Sequence, residues 1–258
     1  MADLAQRVRE LREDLPPGFS VVVERPFVVV GDGGAASVAH SARSTVRFAV
    51  ERLERDFFRS APDRVLDVWL FQGPESYRTG VLRLTGEEPD TPYGFYSSSR
   101  GGLFMNIATG GGTLVHEIVH PYVEADLPKA PAWVNEGLGS LFEQSADRDG
   151  HIVGLPNWRL TGLQEAIERG RVPTFRRLAH TSRDAFYGDG SGVHYAQARY
   201  LMLWMQERGS LVPFVHALRT GLDADPTGWS ALTATLGERD MEAFQDRWEE
   251  WVLALRAP

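Results

Sequence analysis

Residues 113–124 read Thr-Leu-Val-His-Glu-Ile-Val-His-Pro-Tyr-Val-Glu, and the spacing of their apolar residues predicts a helix. Residues four apart lie on one face of a helix, so His116 and His120 can direct two ring nitrogens at one metal ion. Glu117 is adjacent to the first histidine, where its carboxylate can reach a water held by that ion without binding the metal. The preceding Gly110-Gly-Gly112 allows a tight turn into the helix.

Residues 131–143 read Pro-Ala-Trp-Val-Asn-Glu-Gly-Leu-Gly-Ser-Leu-Phe-Glu and predict a second helix. A hydrolytic zinc site usually has three protein ligands and one open position, and two His with one Glu is a known ligand set. The segment 125–130 is long enough for a turn, so the two helices can pack antiparallel and bring Glu136 to the same ion. We therefore expect a Zn²⁺ cofactor held by His116, His120 and Glu136.

The chain before Gly110 differs in character from the chain after it. Five segments before this point predict strands, the first two of which are rich in Val and Phe: 19–23, 27–30, 65–71, 94–97 and 102–108. Further helices are predicted at 44–59, 161–169, 192–207, 211–220 and 241–255. The pattern indicates an α+β protein with a sheet-bearing N-terminal part and an all-helical C-terminal part.

Composition excludes several classes of function. The 258 residues contain no cysteine, which excludes disulfides, thiolate metal sites and cysteine nucleophiles. A formal net charge of −8 argues against binding to nucleic acid, which needs a basic face. No apolar run is long enough for a transmembrane helix. The charged N-terminus is not a signal peptide, so the sequence as written predicts a cytoplasmic protein, with a secreted or periplasmic mature form if a leader was removed.

H-E-x-x-H followed by W-x-N-E-G resembles the gluzincin zinc metallopeptidases, the superfamily of thermolysin and related aminopeptidases, and in particular its compact peptidase MA-like branch. The motif residues lie within 116–143. The resemblance implies a thermolysin-like catalytic fold with an active-site cleft between an N-terminal lobe, residues 1–125, and a helical C-terminal lobe, residues 126–258, which together form one catalytic unit. It also implies that a strand lines the cleft and that a sheet edge pairs with an extended peptide, and Gly102–Asn106 is the candidate.

The resemblance implies roles for four further residues. Tyr195 matches a tyrosine that stabilises the oxyanion, and His194 is a second candidate for that donor. Glu143 matches a position that often supports a metal-ligating histidine, although a solvated helix carboxylate is an equal alternative. Asn135 either holds the entry of its helix, as an N-cap would, or touches the substrate backbone.

The expected function is that of a zinc-dependent peptidase that cleaves a peptide or protein substrate, with Glu117 as general base for a metal-activated water. One alternative is a catalytically silent metallopeptidase fold that binds a peptide or protein. Another is a structural zinc protein, although such sites usually close with four ligands and often include cysteine. A chance H-E-x-x-H with two hydrogen-bonded core histidines is a fourth reading.

Overall fold

The computed structural model describes residues 2–256, and the chain divides into two compact units, 1–125 and 126–258. Met1 and residues 257–258, the outer bounds of the two predicted lobes, lie outside the described part. The expected α+β class is confirmed, since helices accompany parallel and antiparallel strands. Among the described residues, no helix combines the length and apolar character needed to cross a membrane.

The first unit contains all but two of the described strands. Its elements are α1 (Ala2–Asp14), β1 (Ser20–Glu24), β2 (Phe27–Gly31), α2 (Ala35–Ser41), a π-helical turn (Ala42–Arg47), α3 (Phe48–Asp56), β3 (Leu66–Phe71), α4 (Pro74–Thr85), β4 (Gly94–Ser97), β5 (Gly102–Asn106), a 3₁₀ turn (Ile107–Thr109) and α5 (Gly111–Asp126). The helix predicted at 44–59 therefore begins earlier and passes through the π turn. A helix near the N-terminus, α1, extends from Ala2 to Asp14.

The five strands form one mixed sheet in the order β1-β2-β3-β5-β4. The pairs β2–β3 and β3–β5 are parallel, and the outer pairs are antiparallel. The three inner strands are buried along their whole length, which explains their nearly continuous apolar sequences. The prediction of Gly102–Asn106 as a sheet edge is wrong, because β5 is paired on both sides and β4 is the outer strand.

One face of this sheet packs against α1 and α4. The shared core contains residues of both helices and of the inner strands: Leu11, Val28, Val30, Trp69, Phe71, Tyr77, Val81 and Phe104. Ring contacts join Phe19 to Trp69 and Phe71 at centroid distances of 6.4 and 6.5 Å. These packed inner strands therefore hold the outer strand β4 and the turn that leads into α5 in place.

The second unit is mostly helical. Its elements are α6 (Ala132–Glu143), β6 (Ser145–Arg148), β7 (His151–Gly154), α7 (Arg159–Glu168), α8 (Phe175–Ala179), α9 (Arg183–Tyr187), α10 (Ser191–Glu207), α11 (Leu211–Gly221), α12 (Trp229–Leu236) and α13 (Met241–Ala254). Each helix predicted after residue 130 is confirmed within a few residues. The short helices α8, α9 and α12 were not predicted.

The expectation of an all-helical C-terminal part is wrong, because β6 and β7 form an antiparallel hairpin. Its turn is Asp149-Gly150, with φ of 55° and 83°, and Asp-Gly is a favoured pair for such two-residue turns. The Gly150 N–H donates to the Asp147 carboxylate at 3.1 Å. The hairpin is tied to α10 by Gln206, whose amide exchanges two hydrogen bonds with the Gly154 backbone.

A loop between α11 and α12 is organised by the carboxylate of Asp225. It accepts hydrogen bonds from the Thr227 hydroxyl at 2.5 Å, the Thr227 N–H at 3.0 Å and the Ser230 N–H at 2.7 Å. These bonds, that of the Thr227 side chain foremost, lower the pKa of Asp225. The loop in turn places the Thr227 carbonyl 2.9 Å from the indole N–H of Trp133 in α6.

We predict that Asp225→Asn lowers the melting temperature by a few degrees at pH 7, because the amide cannot accept all of these bonds. A depressed carboxyl pKa stabilises the fold above the unfolded value of about 3.9 and loses that effect as the pH falls further. The difference between variant and wild type should therefore shrink below about pH 4. Thermal melts followed by circular dichroism at several pH values measure it.

Asp223→Asn is the matched control, since its carboxylate is exposed and binds only Lys129 among the described residues. Surface pairs of this kind contribute little, so its melting temperature should stay near that of the wild type. Equal effects of the two substitutions at pH 7 would contradict the role assigned to Asp225.

Candidate metal centre

The first part of the site is the segment of α5 that carries His116, Glu117 and His120. The two imidazole centroids lie 4.9 Å apart at an angle of 78° between the ring planes, so the histidines share one face of the helix. His116 is 8% exposed and Glu117 is 9% exposed. The apolar residues around the two histidines are all buried: Leu114, Val115, Ile118 and Val119.

Glycine and proline shape the two ends of this segment. Gly110 has φ of 103°, a conformation that residues with a side chain rarely adopt, and α5 starts at the next residue. Pro121 lies inside α5 directly after His120. Since proline has no N–H, it cannot donate to the carbonyl of Glu117, and the regular hydrogen bonding of the helix is interrupted beside the second histidine.

Glu117 is held by the outer strand of the sheet. Its Oε2 accepts a hydrogen bond from the backbone N–H of Tyr96 in β4 at 2.9 Å. The same oxygen lies 3.7 Å from Nε2 of His120. The carboxylate is therefore held beside His120 by a backbone group.

The second part of the site is Glu136 on α6, which is 4% exposed. The helix begins after Pro131, so Asn135 is not its N-cap; instead Nδ2 of Asn135 lies 3.4 Å from Oε1 of Glu136. A Cβ atom on Gly137 would lie 3.1 Å from Met202 and 3.3 Å from Ala198. The glycine after Glu136 therefore permits the close packing of α10 on α6.

His116, His120 and Glu136 form a group that could hold a metal ion. Each offers one ligand atom, and these atoms all lie within 4.8 Å of one another. Two ligand atoms about 2.1 Å from a tetrahedral zinc ion are about 3.4 Å apart, so the spacing in the structure is at most about 1.4 Å wider than a bound ion requires. Two imidazole nitrogens and a carboxylate are a ligand set that zinc accepts. The residues fit the expected cofactor.

Two tyrosines of the second unit approach Glu136. The hydroxyl of Tyr187, in α9, donates to Oε1 of Glu136 at 2.5 Å. Tyr195, in α10, also interacts with Glu136, and its ring centroid lies 6.2 Å from that of Tyr187. Burial foremost, and then the nearby carboxylate, raise the pKa of both phenols, so both keep their protons at neutral pH. Tyr195 was expected at the site, and Tyr187 was not.

The remaining predicted residues have other neighbours in the structure. His194 stacks on Phe186 with ring centroids 5.5 Å apart, and its Nδ1 lies 3.2 Å from the Phe186 carbonyl. Glu143 accepts a hydrogen bond from Nε of Arg159 at 3.3 Å. The expected role of Glu143 toward a metal-ligating histidine, and that of His194 as a donor, stay predictions.

A buried arginine fixes the end of the helix that carries Glu136. Arg199 in α10 is fully buried and donates to the carbonyl oxygens of Ser140 at 2.8 Å, of Leu141 at 3.4 Å and of Leu155. Burial lowers its pKa to about 10, which leaves it charged at neutral pH. The last carbonyl groups of a helix have no donor within the helix, and the guanidinium of Arg199 supplies one to the carbonyls of Ser140 and Leu141 at the end of α6. Its bond to Leu155 connects this helix end to the segment that follows the hairpin.

We predict that Arg199→Met lowers the free energy of unfolding by about 2–4 kcal/mol, because buried carbonyl groups lose their donor while the aliphatic volume is largely kept. Urea denaturation of wild type and variant measures the change. Arg208→Met is the control, since Arg208 stacks on Trp204 at the surface and should change stability by about 0.5 kcal/mol or less. An unchanged midpoint for Arg199→Met would show that burying the charge offsets all of its hydrogen bonds.

Comparison with known protein families and curated proteins identifies no relative of this chain. The chain matches no model of a known protein family, and no curated protein matches it. The resemblance to gluzincins therefore depends on the motif residues and on the proximity of His116, His120 and Glu136.

Proposed function

We propose that the chain is a zinc-dependent peptidase of the gluzincin type. The observation that carries the proposal is the convergence of one atom each from His116, His120 and Glu136 within 4.8 Å, with Glu117 beside them on the same helix. The set contains three protein ligands, the number typical of catalytic zinc, whereas structural sites usually have four. A thermolysin-like arrangement of the lobes belongs to the same proposal.

Zinc, when bound, would supply a Lewis acid and lower the pKa of the attacking water to near 7. Glu117 accepts a proton from that water and later passes it to the leaving amine. The N–H of Tyr96 holds the Glu117 carboxylate in place before and after this transfer. Tyr195 donates a hydrogen bond to the oxyanion of the tetrahedral intermediate, where charge appears only as the reaction proceeds.

The free edge of β4 is the proposed place for the substrate backbone. In an antiparallel strand the N–H and C=O of one residue point to the same side. Because the Tyr96 N–H points to Glu117 and not to β5, its carbonyl also faces this edge and can accept an N–H from an extended peptide. The edge strand would thus align a peptide bond beside the base.

We predict that Glu117→Gln lowers zinc-dependent peptide hydrolysis by about 10²–10⁴-fold, because the amide cannot accept the proton. Zinc binding should change little, since Glu117 is not one of the three ligands. Hydrolysis of an internally quenched peptide mixture by zinc-loaded protein, together with zinc content, measures both effects.

Glu165→Gln is the matched control, a helix carboxylate on the surface that pairs with Arg169 and should leave the rate unchanged. Full activity of Glu117→Gln would contradict the proposal. Tight peptide binding by zinc-loaded wild type without turnover would instead favour a binding module built on this fold.

A further inference from the structure

We propose that Tyr187 is a positioning residue for the metal centre: its hydroxyl fixes the orientation of the Glu136 carboxylate and thereby sets the affinity for zinc. The direct observation is the hydrogen bond from the Tyr187 hydroxyl to Oε1 of Glu136 at 2.5 Å. The inference rests on the metal site of the proposed function, but not on peptide hydrolysis. It assigns Tyr187 a role that the sequence motifs do not indicate.

A buried carboxylate needs hydrogen-bond donors or a cation on its oxygens. Glu136 is 4% exposed, so water contributes little. A metal ion uses only part of the lone-pair capacity of a carboxylate, and groups that bind the rest decide how the ligand is turned. Tyr187 donates to Oε1, and the amide of Asn135 lies 3.4 Å from the same oxygen. Tyr195 also interacts with Glu136, so all three groups together define which way the carboxylate faces.

Tyr187 is itself held in place by its own helix. Phe186, its neighbour in α9, is fully buried and packs against Tyr195 at a centroid distance of 5.3 Å. Ser182 caps the start of α9 by accepting from the N–H of Ala185 at 3.3 Å. Tyr187 is 38% exposed as a residue, but its hydroxyl is directed to Glu136. The packing of α9 therefore holds the Tyr187 hydroxyl next to Glu136.

The two tyrosines then have different tasks. Tyr195 extends from α10 and is the donor to the developing oxyanion in the proposed mechanism. Tyr187 extends from α9 and acts through Glu136. An interaction that only orients a ligand should alter metal affinity, whereas one made only in the transition state should alter kcat at full metal occupancy.

The experiment compares zinc affinity of wild type and Tyr187→Phe, by competition with a chromogenic chelator. Tyr187→Phe removes one hydroxyl from a half-exposed ring, so the apo-protein should keep its circular dichroism spectrum and melting temperature. We expect zinc affinity to fall by about 10–100-fold, the usual effect of removing a partner of a metal ligand. At saturating zinc, kcat should return to within about threefold of wild type.

Tyr122→Phe is the control, because it removes a phenol–carboxylate bond of the same kind, at 2.7 Å to Glu54, that does not involve a metal ligand. Its zinc affinity should stay within about twofold of wild type. Unchanged zinc affinity in Tyr187→Phe would overturn the inference and leave the metal site standing, and a loss of kcat at saturating zinc with normal affinity would make Tyr187 a catalytic donor instead. Wild-type protein that binds no zinc would overturn both the inference and the proposed function.

Discussion

The burial of Glu136 is the constraint on which the second unit depends. A carboxylate that is almost fully removed from water is stable only when donors or a cation meet its oxygens. The chain places Tyr187 and Asn135 against it and two histidine nitrogens within reach of a shared ion. The close packing of α10 on α6, permitted at Gly137, holds the helix that carries this carboxylate. An apolar residue at position 136 would need none of these partners.

Glu117 in the first unit is also a buried carboxylate that accepts a hydrogen bond. Its carboxylate is bound by a backbone N–H at the free edge of β4, next to a histidine of its own helix. The inner strands of this sheet are buried and pack against an aromatic core. The edge of β4 therefore has a fixed position relative to Glu117. The proposed base therefore lies beside the outer strand that is the proposed place for an extended peptide.

Sequence patterns predicted the features that depend on short spacing. The helical period identified α5 and α6 and placed His116 and His120 on one face. The third protein ligand expected of a hydrolytic zinc site pointed to Glu136 on the next helix. Features that depend on contacts between residues far apart in the sequence were missed or wrongly placed. Strand order is set by non-local contacts, so the outer position of β4 and the inner position of β5 could not be derived from local patterns.

Two further misses have different physical reasons. The hairpin of β6 and β7 carries a recognisable Asp149-Gly150 turn, but its strands are only four residues long and give a weak alternation. Tyr187 lies at the end of a five-residue helix with no motif around it, and only tertiary packing brings its hydroxyl to Glu136. Roles of this kind become visible when the distances to the carboxylate are known.

The most direct measurement is the zinc content of the purified protein after reconstitution and removal of loose metal, compared with His116→Ala and His180→Ala. His180 is exposed and bonds the Arg176 carbonyl, so its loss should not affect the metal. We expect about one zinc per chain for wild type and His180→Ala, and almost none for His116→Ala. Wild-type protein without zinc, or His116→Ala with as much zinc as wild type, would contradict the metal centre on which the proposed function depends.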